Sequence, residues 1–164
     1  MTSTDAPDSA PNSAFAPDQD GLSEKVLDRP GVNVTSASAT LSFRNNFSTE
    51  FSDGTYWDGY MLEVSAPNIN GGEFLDITDS HVGGSFVSGG YTGDICCGTC
   101  PGPLPQKRMA WSGDSGGYID TVINLGPNLA GQMVTFRFRM CTNEAVAAPG
   151  VHIDNLVFTD AVCP

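Results

Sequence analysis

The sequence predicts an all-β protein: an antiparallel β-sandwich of the jelly-roll kind with an extended N-terminal tail. Three observations carry this. Apolar and polar residues alternate over several short segments, which is the period of a half-buried strand. The 164 residues include 19 Gly and 11 Pro, which punctuate a chain with turns. Asp outnumbers Glu by 14 to 5, and Asp favours turns and loops where Glu favours helices. No segment has a convincing helical period, and no internal repeat is visible.

The elements follow in chain order. Residues 1–30 form an acidic tail or linker rich in Pro, Ser and Asp, with little to bury in its first 24 positions. Residues 31–164 form the sandwich domain. "VNVT" is a short strand candidate. "TLSFRNNF" puts Leu41, Phe43 and Phe47 on one face, and "YMLEVSA" alternates Tyr60, Leu62 and Val64 against Met61, Glu63 and Ser65. "EFLDI", "SFVSG" and "RMAW" are further short candidates. "YIDTVINL" sets Ile119, Thr121, Ile123 and Leu125 against polar neighbours. "MVTFRFRM" is the cleanest case, with Val134, Phe136, Phe138 and Met140 opposite Thr135, Arg137 and Arg139. In "VHIDNLVF", Val151 and Ile153 share a face while Leu156 and Phe158 take the other, which predicts a bulge or a strand buried on both sides.

Charge and cysteine content bound the function. The net charge is −12, and the seven basic residues form no patch, so nucleic acid and anionic membrane surfaces are poor partners. No apolar stretch approaches membrane-spanning length. Five cysteines in so short a chain indicate an oxidising compartment. The opening residues lack the basic and apolar regions of a secretion signal, and the chain reads as a mature exported segment, extracellular or at the cell surface.

"GDSGG" at residues 113–117 matches the surroundings of the nucleophilic serine in trypsin-like proteases. A serine hydroxyl needs a histidine base, itself oriented by an acid. The chain has two histidines, His81 and His152, and neither sits in a setting resembling the protease base. Tyr118 stands where the motif continues with proline. The motif therefore reads as a turn between strands, and no catalytic set is expected.

"FSDGTYWDGYMLEVS", "MAWSGDSGGYIDTVINLGPNLAGQMVTFRFRM" and "EAVAAPGVHIDNLVFTD" together resemble a bacterial extracellular jelly-roll domain. It is similar to the MAM-like accessory domains that follow the catalytic units of immune inhibitor A type secreted peptidases and that occur in large surface proteins. The likeness spans about residues 40 to 160. It implies a non-catalytic domain in which the "GDSGG" region is a turn after a tryptophan strand. Two departures stand out: Val151 and His152 replace a tryptophan after Pro-Gly, and the cysteines are foreign to the pattern.

The resemblance also implies calcium as cofactor, because related jelly rolls hold a structural calcium between an acid after the first core strand and an Asp in the last strand. The matching positions are Glu50 and Asp154, with Asp53 and Asp58 as contributors from the loop. The alternative is that Asp53 and Asp58, each preceding a glycine, make turns, while Asp154 pairs with Arg137 or Arg139. Cys96, Cys97 and Cys100 form a C-C-x-x-C cluster without the second pair that zinc prefers or the strand–helix setting of a redox site. Disulfides are the economical reading, with two bridges from this loop to Cys141 and Cys163 and one thiol left over or bonded to another chain. Trp57, in a loop, is the best candidate for stacking on a sugar, with loop packing as its competing role.

The function expected is a non-catalytic structural or adhesive subunit of an extracellular surface or filament assembly, with copies of itself or surface proteins as partners. The alternative is a carbohydrate-binding or targeting module of a secreted hydrolase, with a polysaccharide as ligand. In the first case "SEKVLDRPGVNVTSA" pairs with a neighbouring copy along a sheet edge. In the competing case Val32 and Val34 begin the domain's own first strand.

Overall fold

The computed structural model describes residues 1–5, 7–96 and 107–163. The strands are β1 (Thr2–Ser3), β2 (Ser13–Asp18), β3 (Ser23–Val34), β4 (Thr40–Ser48), β5 (Phe51–Ser52), β6 (Thr55–Tyr56), β7 (Gly59–Ser65), β8 (Leu75–Asp76), β9 (Ser85–Ser88), β10 (Gly93–Ile95), β11 (Arg108–Ala110), β12 (Ile119–Asn124), β13 (Met133–Thr142), β14 (Ala148–Thr159) and β15 (Ala161–Val162). Helical structure among the described residues is confined to two 3₁₀ turns, Asn70–Gly72 and Pro127–Leu129. The protein is all-β, as the alternation and turn residues predict.

Two large antiparallel sheets share one core. One has the order β1-β2-β14-β4-β12-β9, the other β15-β3-β13-β7-β8. Leu41, Phe43, Phe47, Ile123, Val151 and Ile153 from the first sheet pack with Leu62, Val64, Val134, Phe136, Phe138 and Met140 from the second. These are the faces the period-two pattern picks out. Trp111 is fully buried at their end, stacked on Tyr60 at 4.7 Å and edge-on to Phe43, Phe86 and Tyr91. The expected bulge in the last long strand is present: the β14–β4 register shifts between Asp154 and Val157, and Asn155 takes φ 52°.

A third, small sheet, β11-β10-β6-β5, lies against the outside of β7. It changes the reading of that strand. Met61 faces away from the main core yet is fully buried, packed with Ile95, Ala110 and Cys141. Glu63, on the same face, is 2 % exposed because Arg108 and Arg139 cover it, with N–O distances of 2.7 and 2.8 Å. The alternation in "YMLEVSA" marks two different interiors, not an inside and an outside.

The N-terminal segment corrects the expected division of the chain. Residues 1–30 are not a tail: β2 pairs with β14, and β3 pairs with β13 from Ser23 to Asn33. The expected boundary at residue 31 falls inside β3. Polar composition misled here because β3 covers an outer position, so its residues 24–28 alternate only weakly in burial. Val32 and Val34 are fully buried in their own domain's core, which favours the first-strand reading over pairing with a neighbour.

Candidate functional site

The "GDSGG" segment is a piece of scaffold. Ser115 Oγ accepts the Phe47 N–H at 2.9 Å, and the Ser115 N–H donates to the Phe47 carbonyl at 2.9 Å. The serine thus continues the hydrogen bonding of β4 beyond Asn45, the last β4 residue that β12 reaches. Gly113, Gly116 and Gly117 take φ of 83°, 69° and 126°, values that glycine adopts without a Cβ penalty. The histidines are engaged elsewhere. His152 Nδ1 lies 2.8 Å from Ser13 Oγ, and its ring stacks on Phe15 at 4.5 Å. Burial holds His152 below the usual imidazole pKa. His81 is exposed, with Nδ1 2.8 Å from Asp79 Oδ1.

The expected calcium ligands do not converge. The β14–β4 register places Asp154 opposite Arg44, six residues before Glu50, a separation on the order of 20 Å along the sheet. Asp154 instead accepts hydrogen bonds from the Ser9 N–H and Ser9 Oγ, both at 2.8 Å, and from Asn155 N–H at 2.7 Å. Nor does it pair with the strand arginines: Arg137 is bidentate to Asp28 at 2.7 Å, and Arg139 bonds Glu63. Asp53 is exposed at φ 51° and, with Gly54 at φ 76°, makes the β5–β6 hairpin turn. Among the described residues no three His, Cys, Asp or Glu side chains are grouped to hold a metal ion.

Asp58 is the member of that set with an unusual environment. It is fully buried in the link between β6 and β7 and faces Asp18, at the end of β2, which is 2 % exposed. Asp58 Oδ1 accepts the Asn143 N–H at 2.7 Å, and Asp18 Oδ2 accepts the Glu50 N–H at 3.0 Å. The other oxygens, Asp18 Oδ1 and Asp58 Oδ2, are buried with no donor from a third group, and the two carboxyls hydrogen-bond each other. Asn143 Nδ2 donates to Glu50 Oε2 at 2.8 Å and so ties Glu50 to the rim of the pair. Burial first, then the facing Asp18 carboxyl, pushes Asp58 up to about pKa 8; burial raises Asp18 as well. Lys25 is the nearby cation, with Nζ bonded to Ser23 Oγ at 2.8 Å. Asp18 lay hidden in what reads as tail, and only the pairing of β2 brings it to Asp58.

Beside this pair stand the aromatics of the β5–β6 hairpin. Phe51 is half exposed and packs on Tyr56 at 4.7 Å. Trp57 is half-buried, and its Nε1–H donates to Ser52 Oγ at 2.9 Å. Between β2 and β3 an apolar cavity of about 190 Å³ opens, lined by Ala14, Ala16, Leu27, Phe138, Met140 and Ile153 among others.

The cysteines divide. Cys141 is fully buried and disulfide-bonded. Cys96 is half-buried just after β10, and Cys97 and Cys100 lie outside the described residues. Cys163 is exposed with a free thiol, which corrects the expected bridge to it. The loop that was to supply its partner starts at the other end of the sheet: Ile95 packs with Cys141, whereas Val162 lies opposite Asn33 and Asn33 opposite Met133, which sets Cys163 seven residues along β13 from Cys141. That is roughly 24 Å, beyond the roughly 7 Å between Cα atoms that a disulfide spans.

No protein-family model and no curated protein matches this chain. No helix among the described residues is long and apolar enough to cross a membrane.

Proposed function

We propose that this chain is a non-catalytic extracellular β-sandwich of the jelly-roll kind that serves as a structural or adhesive subunit of a surface assembly. The observation that carries the reading is the edge at β15. Val162 and Met133 lie on one outer face of the sheet, flanking Asn33, and are 57 % and 52 % exposed. The free Cys163 thiol follows immediately. An apolar strip beside an exposed thiol suits a contact between chains, covalent or not. The disulfide at Cys141 suits an oxidising compartment. The bonding of Ser115 to β4 and of each histidine to its own partner supports the absence of a catalytic role.

The test is sedimentation of the purified full chain over a wide concentration range, with and without reductant, beside Cys163→Ser. Concentration-dependent association, with a reducible fraction lost in the serine variant, supports the reading. A chain that stays monomeric under every condition contradicts it. The second reading, a carbohydrate-binding module, draws on the Phe51–Tyr56–Trp57 hairpin, which projects aromatic surface beside an acidic pair. It gains if the chain co-sediments with insoluble polysaccharide and Trp57→Ala abolishes this.

A further inference from the structure

The margin between β2 and β3 encloses space that the chain's own side chains leave unfilled, and register decides which residues point into it. Ala16 lies opposite Val151 and Ala14 opposite Ile153, so these two alanines face the core, while Phe15, opposite His152, faces out. On the other sheet Leu27 lies opposite Phe138 and Lys25 opposite Met140, so both share the inward face. Two methyl groups fill little of a layer roughly 10 Å thick, and Leu27 leans to the surface at 42 % exposure. The result is the cavity of about 190 Å³, with Phe138, Met140, Val151 and Ile153 in its walls. The two polar side chains of the lining, Tyr60 and Lys25, are already engaged. The Tyr60 hydroxyl accepts a hydrogen bond from Asn45 Nδ2. Lys25 Nζ donates to Ser23 Oγ at 2.8 Å, and its charge answers Asp18 and Asp58, which leaves its aliphatic stem to the cavity wall.

We propose that this cavity binds a small, uncharged, apolar molecule the size of a single ring, of the monocyclic aromatic class. Its volume lies below the roughly 300–1,000 Å³ of pockets for larger ligands, and apolar cavities of about 150 Å³ take up benzene. The gain is dispersion contact with walls that otherwise line a void. An anion of the same size meets no spare cation, because Lys25 is answered by the acidic pair and the chain carries a net charge of −12. A sugar of the same size would bury hydroxyls without partners, which separates this site from the polysaccharide reading at the Phe51–Tyr56–Trp57 hairpin. The inference goes beyond the assembly reading. The cavity lies inside the sandwich at Lys25 and Leu27, whereas the exposed apolar strip flanks Asn33, farther along β3. A bound ring would tie β2 to the second sheet across their shared margin.

The experiment titrates the full chain with toluene and, separately, with benzoate, followed by methyl NMR. The expected result is saturable toluene-induced shifts at Ala14, Ala16, Leu27, Met140 and Ile153, and a higher Tm in toluene by mass action. Benzoate, which must bury a charge, should bind at least roughly tenfold more weakly. Ala16→Leu places a side chain in the space the ring would occupy, and the folded variant should lose toluene binding. Absence of saturable shifts in the folded wild-type chain up to the solubility of toluene overturns the proposal. So do shifts confined to residues outside the cavity, benzoate binding as tight as toluene, or a folded Ala16→Leu chain that binds toluene unchanged. If the larger side chain prevents folding, Ala14→Leu takes its place, and if both fail the location of the wild-type shifts decides.

Discussion

Replacing Ser115 by alanine removes one acceptor and leaves a specific donor stranded. Phe47 is 2 % exposed, and its N–H points at Ser115 Oγ from 2.9 Å. The Ser115 N–H keeps its bond to the Phe47 carbonyl, and Thr49 N–H keeps the Gly113 carbonyl at 2.8 Å. The segment therefore stays in place while one buried N–H loses its partner. Such a loss costs about 1–3 kcal/mol. At roughly 2–4 °C per kcal/mol for a chain of this size, a mid-range cost lowers Tm by roughly 4–8 °C. Urea denaturation followed by the fluorescence of buried Trp111 measures it, with the m-value unchanged because the fold is unchanged. A fluorophosphonate probe should leave the wild-type chain unlabelled. Labelling at Ser115, or a variant within about 0.5 kcal/mol of the wild type, would refute the structural role assigned to this serine.

Trp111→Phe removes the indole N–H that donates to Gly89 O at 2.7 Å and leaves a void among Phe43, Tyr60, Phe86 and Tyr91; denaturant titration should show a loss of about 2–4 kcal/mol. Gly150→Ala, at φ 101°, would set a Cβ 2.4 Å from the Ala16 carbonyl and 2.8 Å from Asp18 N, so it should destabilise the chain and raise amide exchange in β2 before β4. Asp58 titrates near 3.8 when unperturbed but near 8 in the fold. Across that window the native chain holds a proton that the unfolded chain has lost, so stability falls as pH rises and levels off above pH 8. Asp58→Asn should flatten that slope, and a slope unchanged in the variant would count against the assignment.

The parts of the fold legible in the sequence are those where one face is buried and the other wet. In "MVTFRFRM" the pattern named every inward residue, because β13 lies mid-sheet with a charged outer face. In "YMLEVSA" it failed on Met61 and Glu63, since the covering sheet is assembled from segments too short to carry a period of their own. The N-terminal strands were hidden for a related reason: β2 and β3 lie at or near sheet margins, where few side chains face the core. The acidic pair was half visible. Asp58 belongs to the acidic loop that the sequence marks as a ligand set, but nothing local distinguishes Asp18 from the other acids of its stretch, and only long-range pairing joins them. Cys163 was misplaced because spacing alone does not report register.

The acidic pair, the apolar cavity and the closed margin of the second sheet all depend on residues 13–34 being strands of this chain's own sheets. Amide hydrogen exchange of the full-length protein, resolved by peptide, measures that directly. The account predicts that amides of residues 24–34 are protected to a degree comparable with residues 59–65, which flank β13 on its other side. Exchange of residues 24–34 at the rate of an unstructured chain, while residues 133–142 stay protected, would contradict it.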